Sequence, residues 1–211
     1  DVEIIDTWTV AGLRGTGSHD IAVAERFVPE DRSVSLLTDR PRQPGPLYMF
    51  PVFGLLALGI AGVALGVARR AIDELLQLAA AKTPTGSRKR LAERAMIQVH
   101  VAEAEALLRS ARAFLFDTIG DAWRAAQGSR TISVAQRSLL RLAATHAATS
   151  AAKVVDLMYN AGGGTSVYAT SPLQRQFRDI HVVTQHMMVA PATYELTGRV
   201  FLGIDTDTSL L

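Results

Sequence analysis

Residues 160–187 read NAGGGTSVYATSPLQRQFRDIHVVTQHM and hold the groups best suited to chemistry. Three consecutive glycines, Gly162, Gly163 and Gly164, precede Thr165. Without a Cβ, such backbone lets its amides approach a ligand closely. Ser171-Pro172 then starts a helix that carries His181 and His186. Imidazole is the side chain whose ordinary pKa lies nearest neutrality, so it can act as acid, base or hydrogen-bond partner. The pattern predicts a ligand-cradling loop beside a candidate acid/base residue.

The other histidines are weaker candidates. His181 precedes His186 by five residues, which on one continuous helix sets them about 140° apart. That is not the spacing of a helical metal pair, so no metal site is expected and His181 reads as a surface or interface residue. His100 and His146 lie in Ala-rich stretches and read as structural. Ser18-His19-Asp20 has the composition of a catalytic triad, but adjacent residues in extended chain point to opposite faces, whereas a triad converges in space.

Five helices are predicted to position these groups: 52–82, 88–126, 134–160, 172–188 and 191–203. The first stops before Thr83-Pro84, because the residue before proline avoids the helical region. Ser87 is the candidate N-cap of the second, whose Leu91, Ala95, Val99, Ala102 and Ala106 form an apolar stripe. Ser133 and Gln136 make a capping box for the third. Pro172 suits the first turn of the fourth. Helices of about 30 residues span ~45 Å, and three in succession with short connections make an antiparallel bundle. The tail GIDTDTSLL is expected to be loosely ordered.

Ahead of the helices, Val2-Glu3-Ile4-Ile5 and Ile21-Ala22-Val23 read as strands around the loop GLRGTGSHD. Two strands make no stable sheet alone, so they are expected to be the edge of something larger. The chain opens on Asp1 rather than Met, and the expectation is a piece of a longer protein. The division is 1–30 as the end of a β domain, 31–51 as a proline-rich linker, and 52–211 as a helical bundle. The fold class is mainly α.

The 211 residues, 48% hydrophobic, can bury a substantial core. A net charge of +2 implies no nucleic-acid partner. With no cysteine there are no disulfides, thiolate metal sites or Cys nucleophile, which suits the cytoplasm. Residues 50–68 carry no charge and have the length of a membrane span. Their amphipathic continuation, ARRAIDELLQLAAAK, instead favours a core helix of a soluble bundle, and no membrane partner is expected.

DTWTVAGLRGTGSHDIAVAERFVP at the start, GGGTSVY and SPLQRQFRDIHVVTQH near the end, and the long helices between them resemble the acyl-CoA dehydrogenase superfamily. The likeness is greatest to its branch of two-component flavin-dependent monooxygenases. It runs along nearly the whole chain and corresponds to the C-terminal half of such a protein. The resemblance implies a flavin, FMN or FAD, that arrives reduced from a separate reductase. It also implies a tetramer and a small aromatic or related organic substrate that is hydroxylated. Gly162, Gly163, Gly164 and Thr165 match the loop that approaches the flavin, often that of a neighbouring subunit. His186 matches a histidine near the flavin that assists phenol deprotonation or supports oxygen activation.

In the dehydrogenases a Glu after the Arg-Asp pair removes the substrate proton. Counted from Arg178-Asp179, it would fall at Met187, and a thioether cannot accept a proton. An acyl-CoA dehydrogenase-like flavoprotein is therefore the second expectation, and a non-catalytic helical oligomerisation fragment the third. Arg88, Lys89 and Arg90 read as a solvated basic cluster, and Arg178 and Asp179 as structural.

Overall fold

The computed structural model describes residues 2–211. Strands β1 (Val2–Ile5) and β2 (Asp20–Val23) form an antiparallel hairpin, with Val2 opposite Val23 and Ile5 opposite Asp20. The face shared by Val2, Ile4, Ile21 and Val23 is exposed: Ile4 is 71% and Ile21 69% accessible. The helices are α1 (Val52–Ala81), α2 (Ala95–Gln127), α3 (Val134–Gly162), α4 (Pro172–Val183) and α5 (Ala192–Phe201). The antiparallel bundle expected from the sequence is present.

Helix α3 is the centre of the molecule and packs against α1, α2, α4 and α5. It can do so because its buried faces are small. Ala143, Ala144, Ala147, Ala148 and Ala151 are fully buried, and Ala57, Ala61, Ala64, Ala68 and Ala71 form the matching seam on α1. The Ser133/Gln136 capping box is formed: Gln136 N–H donates to Ser133 Oγ at 3.2 Å and Ser133 N–H to Gln136 Oε1 at 3.0 Å. Such a cap contributes about 1 kcal/mol.

Helix α1 is long and apolar enough to cross a bilayer, and 33% of its most apolar window is buried within this chain. Leu55, Leu56 and Val63 remain exposed. Arg69 ties α1 to α2 through a two-pronged pair with Glu105, 2.8 Å on each arm.

Three expectations require correction. Helix α2 begins at Ala95, not 88, and Arg94 rather than Ser87 precedes its first turn. Leu91 N–H bonds back to Lys82 O at 2.8 Å, and Arg90 N–H to Glu93 Oε2 at 2.6 Å. These bonds fold 88–94 into a turn and a short 3-10 segment, Leu91–Glu93. Helix α4 ends at Val183, not 188, as Gln185 and His186 N–H groups bond to Val182 and Val183 carbonyls in tightened turns. The tail is docked rather than loose. Arg199 donates to Thr206 Oγ1 and Asp205 O, both at 2.7 Å, buried Arg141 donates to Leu210 O, and Leu211 is 1% exposed.

Candidate functional site

His186 lies in the turn beyond α4, at the edge of a cavity of about 500 Å³. Three segments build the wall: Trp8, Leu13, Thr16 and Ser18 from the loop between the strands, Gly59, Ile60 and Val63 from α1, and Val182, Val183, Gln185 and His186 from the end of α4 and the turn beyond it. The wall is mainly aliphatic and aromatic, with a few hydroxyl, amide and imidazole groups, the usual make-up of a small-molecule site.

The interstrand loop is fastened to α4. Asp179 Oδ1 accepts the Leu13 N–H at 2.7 Å, and Arg178 donates to Ala11 O at 3.2 Å. Gly12 sits so close that an added Cβ would stand 2.2 Å from Arg178 O, a distance no side chain tolerates. Leu13 has φ 51°, uncommon for leucine. Its carbonyl accepts from Trp8 Nε1 at 3.1 Å and from Thr16 Oγ1 at 2.9 Å. Arg178 and Asp179 are thus structural, as expected, and they set one wall of the cavity.

His186 Nδ1 accepts the Met188 backbone N–H at 3.2 Å. An amide can only donate, so the neutral ring carries its proton on Nε2. His186 accordingly offers a hydrogen-bond donor from Nε2 rather than a basic lone pair. Met187 is 64% exposed and does not line the cavity.

The glycine loop lies elsewhere. Helix α3 ends at Gly162, which is buried: a Cβ there would meet Ser166 Oγ at 2.2 Å and Leu173 Cδ1 at 2.9 Å. The open part of the triplet is therefore Gly163 and Gly164, both exposed and with space where a Cβ would stand. Gly163 has φ 59° and ψ −144°, a conformation available to glycine alone. Lys82 Nζ donates to Gly162 O at 2.9 Å and to Thr165 Oγ1 at 2.7 Å. Sequence reasoning missed Lys82. Its only signal is a lone cation closing α1, where a cation meets a helix carboxyl end.

The glycine loop and His186 do not meet within one copy of the chain. Thr165 borders a separate hollow of about 350 Å³ with Tyr168, Ser171 and Leu173. The 12 residues of α4 lie between this hollow and His186, about 18 Å of helix.

His181 donates from Nε2 to Asp156 Oδ1 at 2.9 Å and stands edge-on to Phe177. His186 is off the helix, so the separation of about 140° expected for one continuous helix does not apply to it and His181. His19 Nδ1 lies 3.3 Å from Trp8 N and 3.2 Å from Asp6 Oδ1, while Ser18 Oγ lies 3.3 Å from Thr16 Oγ1. The Ser18-His19-Asp20 run forms no triad. Among the described residues no cluster of three His, Cys, Asp or Glu side chains is placed to hold a metal.

Comparison with known proteins agrees with this architecture. The chain is 38% identical to indole-3-acetate monooxygenase of Pseudomonas putida over 95% of its own length and 51% of that protein. It is 26% identical to the oxygenase component of an FADH2-dependent resorcinol hydroxylase of a Rhizobium strain, over 96% of this chain and 54% of the relative. Among solved structures, 3-HSA hydroxylase from Rhodococcus superposes with a TM-score of 0.90 at 25% identity, covering 100% of this chain and 56% of that one. The chain spans about half the length of the curated relatives it matches. The acyl-CoA dehydrogenase C-terminal domain profile matches residues 58–191, and the chain belongs to that family.

Proposed function

We propose that this chain is the C-terminal part of the oxygenase component of a two-component flavin-dependent monooxygenase that hydroxylates an aromatic or related organic substrate. The observation that carries the reading is the cavity beside His186, with Nε2–H offered as a donor and an exposed Met187 where the dehydrogenases of the superfamily place their base. The names of the relatives, oxygenases of indole-3-acetate and resorcinol, support the same chemistry.

The residues present suit a flavin. Gly163 and Gly164 offer exposed backbone with no Cβ between it and a ring or phosphate, and Lys82 fixes the loop from behind. Reduced flavin from a partner reductase supplies the electrons that activate O2. The work of this chain is to bind, orient and exclude water. Trp8, Leu13, Ile60 and Val63 wall the substrate off from solvent. His186 donates a hydrogen bond from Nε2 toward developing negative charge on an oxygen atom.

Because α4 separates the two ends, we assign the His186 cavity to the copy that carries it and the glycine loop to the flavin of a neighbouring copy. A cytoplasmic homotetramer would supply both. The exposed faces of the hairpin and of α1, including Ile4, Ile21, Leu55 and Leu56, support packing against further protein.

The test uses the full-length protein with reduced flavin, O2 and a panel of phenols and indoles, with hydroxylated product measured by mass spectrometry. Product formation that falls at least about 100-fold in His186→Ala supports the reading. Anaerobic reduction of bound flavin by an acyl-CoA thioester would overturn it in favour of a dehydrogenase.

A further inference from the structure

Arg69, Arg70, Arg109 and Arg124 each pair with a carboxylate. Arg14, Arg175 and Arg178 pair with none among the described residues, and all three line one hollow behind the interstrand loop. Arg14 comes from that loop. Arg175 and Arg178, three residues apart, share a face of α4. Arg178 is fixed in place: Nη1 donates to Ala11 O at 3.2 Å, and Nε is buried without an acceptor.

Asp179 is the one acidic residue on this wall, and its Oδ1 is taken by the Leu13 N–H. Three guanidinium groups and one carboxylate leave the hollow with a double positive charge. Like charges gathered without a counter-ion repel one another. Guanidinium groups bind phosphate through paired N–H donors, and a phosphate dianion cancels the charge that a single carboxylate ligand would only halve. The hollow is open to solvent. Arg14 and Arg175 are exposed, and nothing lies within 4 Å of where a Cβ of Gly15 would stand. Leu13 and Thr16 line both this hollow and the His186 cavity. An anion that ties Arg14 to α4 therefore also braces one wall of that cavity.

We propose that Arg14, Arg175 and Arg178 form a binding site for a phosphate group, which clamps the interstrand loop to α4. The inference goes beyond the oxygenase reading and does not rest on what the His186 cavity binds.

The test is titration of the full-length protein with inorganic phosphate at constant ionic strength, followed by calorimetry and by hydrogen exchange at amides 12–16. FMN and riboflavin are titrated in separate runs. Phosphate binds saturably and slows exchange in the loop about threefold or more. Arg14→Gln/Arg175→Gln weakens phosphate at least about tenfold. Without phosphate this double variant keeps or exceeds the wild-type thermal midpoint, because repelling charges are removed. If the phosphate is the flavin's own, FMN binds about tenfold tighter than riboflavin and the double variant abolishes the difference. If it is a separate ion, the two flavins bind equally and inorganic phosphate binds alongside either. Absence of saturable phosphate binding, or binding unchanged in the double variant, overturns the proposal. So does a lowered thermal midpoint in the double variant, which would show that a carboxylate elsewhere in the full-length protein already pairs with these arginines.

Discussion

Asp179 holds Leu13 in place: its carboxylate accepts the Leu13 amide at 2.7 Å, joining α4 to a loop 166 residues earlier in the chain. The bond matters beyond its own strength because Leu13 keeps a left-handed backbone and lines the His186 cavity.

Asp179→Ala leaves the amide of Leu13 without its acceptor. A bond to a charged group, once lost, costs about 1.5–3 kcal/mol. Asp179→Asn keeps an acceptor and costs less. Urea unfolding of the two variants measures the difference, and equal losses would show that the carbonyl-like acceptor is not what matters.

Lys82→Met removes the ammonium that bridges Gly162 and Thr165. The loop then opens more often while α3 stays folded, so hydrogen exchange at amides 163–166 rises about tenfold, the equivalent of one such bond. Exchange in the middle of α3 is the internal control and stays unchanged.

His186→Gln retains an N–H donor, whereas His186→Ala does not. With Nδ1 engaged by Met188, donation is the role left to the neutral ring. On the proposed oxygenase activity, Gln keeps turnover within about tenfold and Ala loses about 100-fold or more. Equal losses in both would assign His186 to proton abstraction instead.

Glu105 makes the α1–α2 contact sensitive to acid. Hydrogen bonding to Arg69, aided by Arg109 and opposed by burial, lowers its carboxyl to about 2. The folded pKa lies below the unfolded one, ~4.3, so the stabilisation is complete above that value and is lost as pH falls toward 2. The side chain is 26% exposed, and a partly solvated pair of this kind contributes about 1 kcal/mol. Glu105→Gln should lower the thermal midpoint at pH 7 and narrow its gap to the wild type near pH 2.5. A constant gap across that range would contradict the coupling.

Arg141→Ala frees the tail. Arg141 is 4% exposed, its guanidinium pKa is lowered by burial, and it donates to Leu210 O. Limited proteolysis should cut within 204–211 in the variant and spare the wild type.

The bundle was legible because its signals are local. Proline before 52 and at 84, the Ser133/Gln136 box and Pro172 each act within one turn of chain, and the corresponding ends of α1, α3 and α4 fall within two residues of expectation. Boundaries set by tertiary bonds were not legible. Leu91 reaching back to Lys82 stops α2 from starting at 88, and no residue near 184 is a strong breaker. The site divides in the same way. A run of three glycines announces open backbone, but Ser166 and Leu173 decide that Gly162 is packed and Gly163 is not. His186 stands out by type, whereas its tautomer depends on where the Met188 amide points.

The hairpin of β1 and β2 has a practical consequence for anyone handling the polypeptide alone. Each strand is paired along one edge only, and the outer edges are free to recruit strands from other molecules. With Val2, Ile4, Ile21 and Val23 all more than half exposed, concentrated solutions should precipitate through strand addition. Charged substitutions at Ile4 and Ile21 should keep them clear.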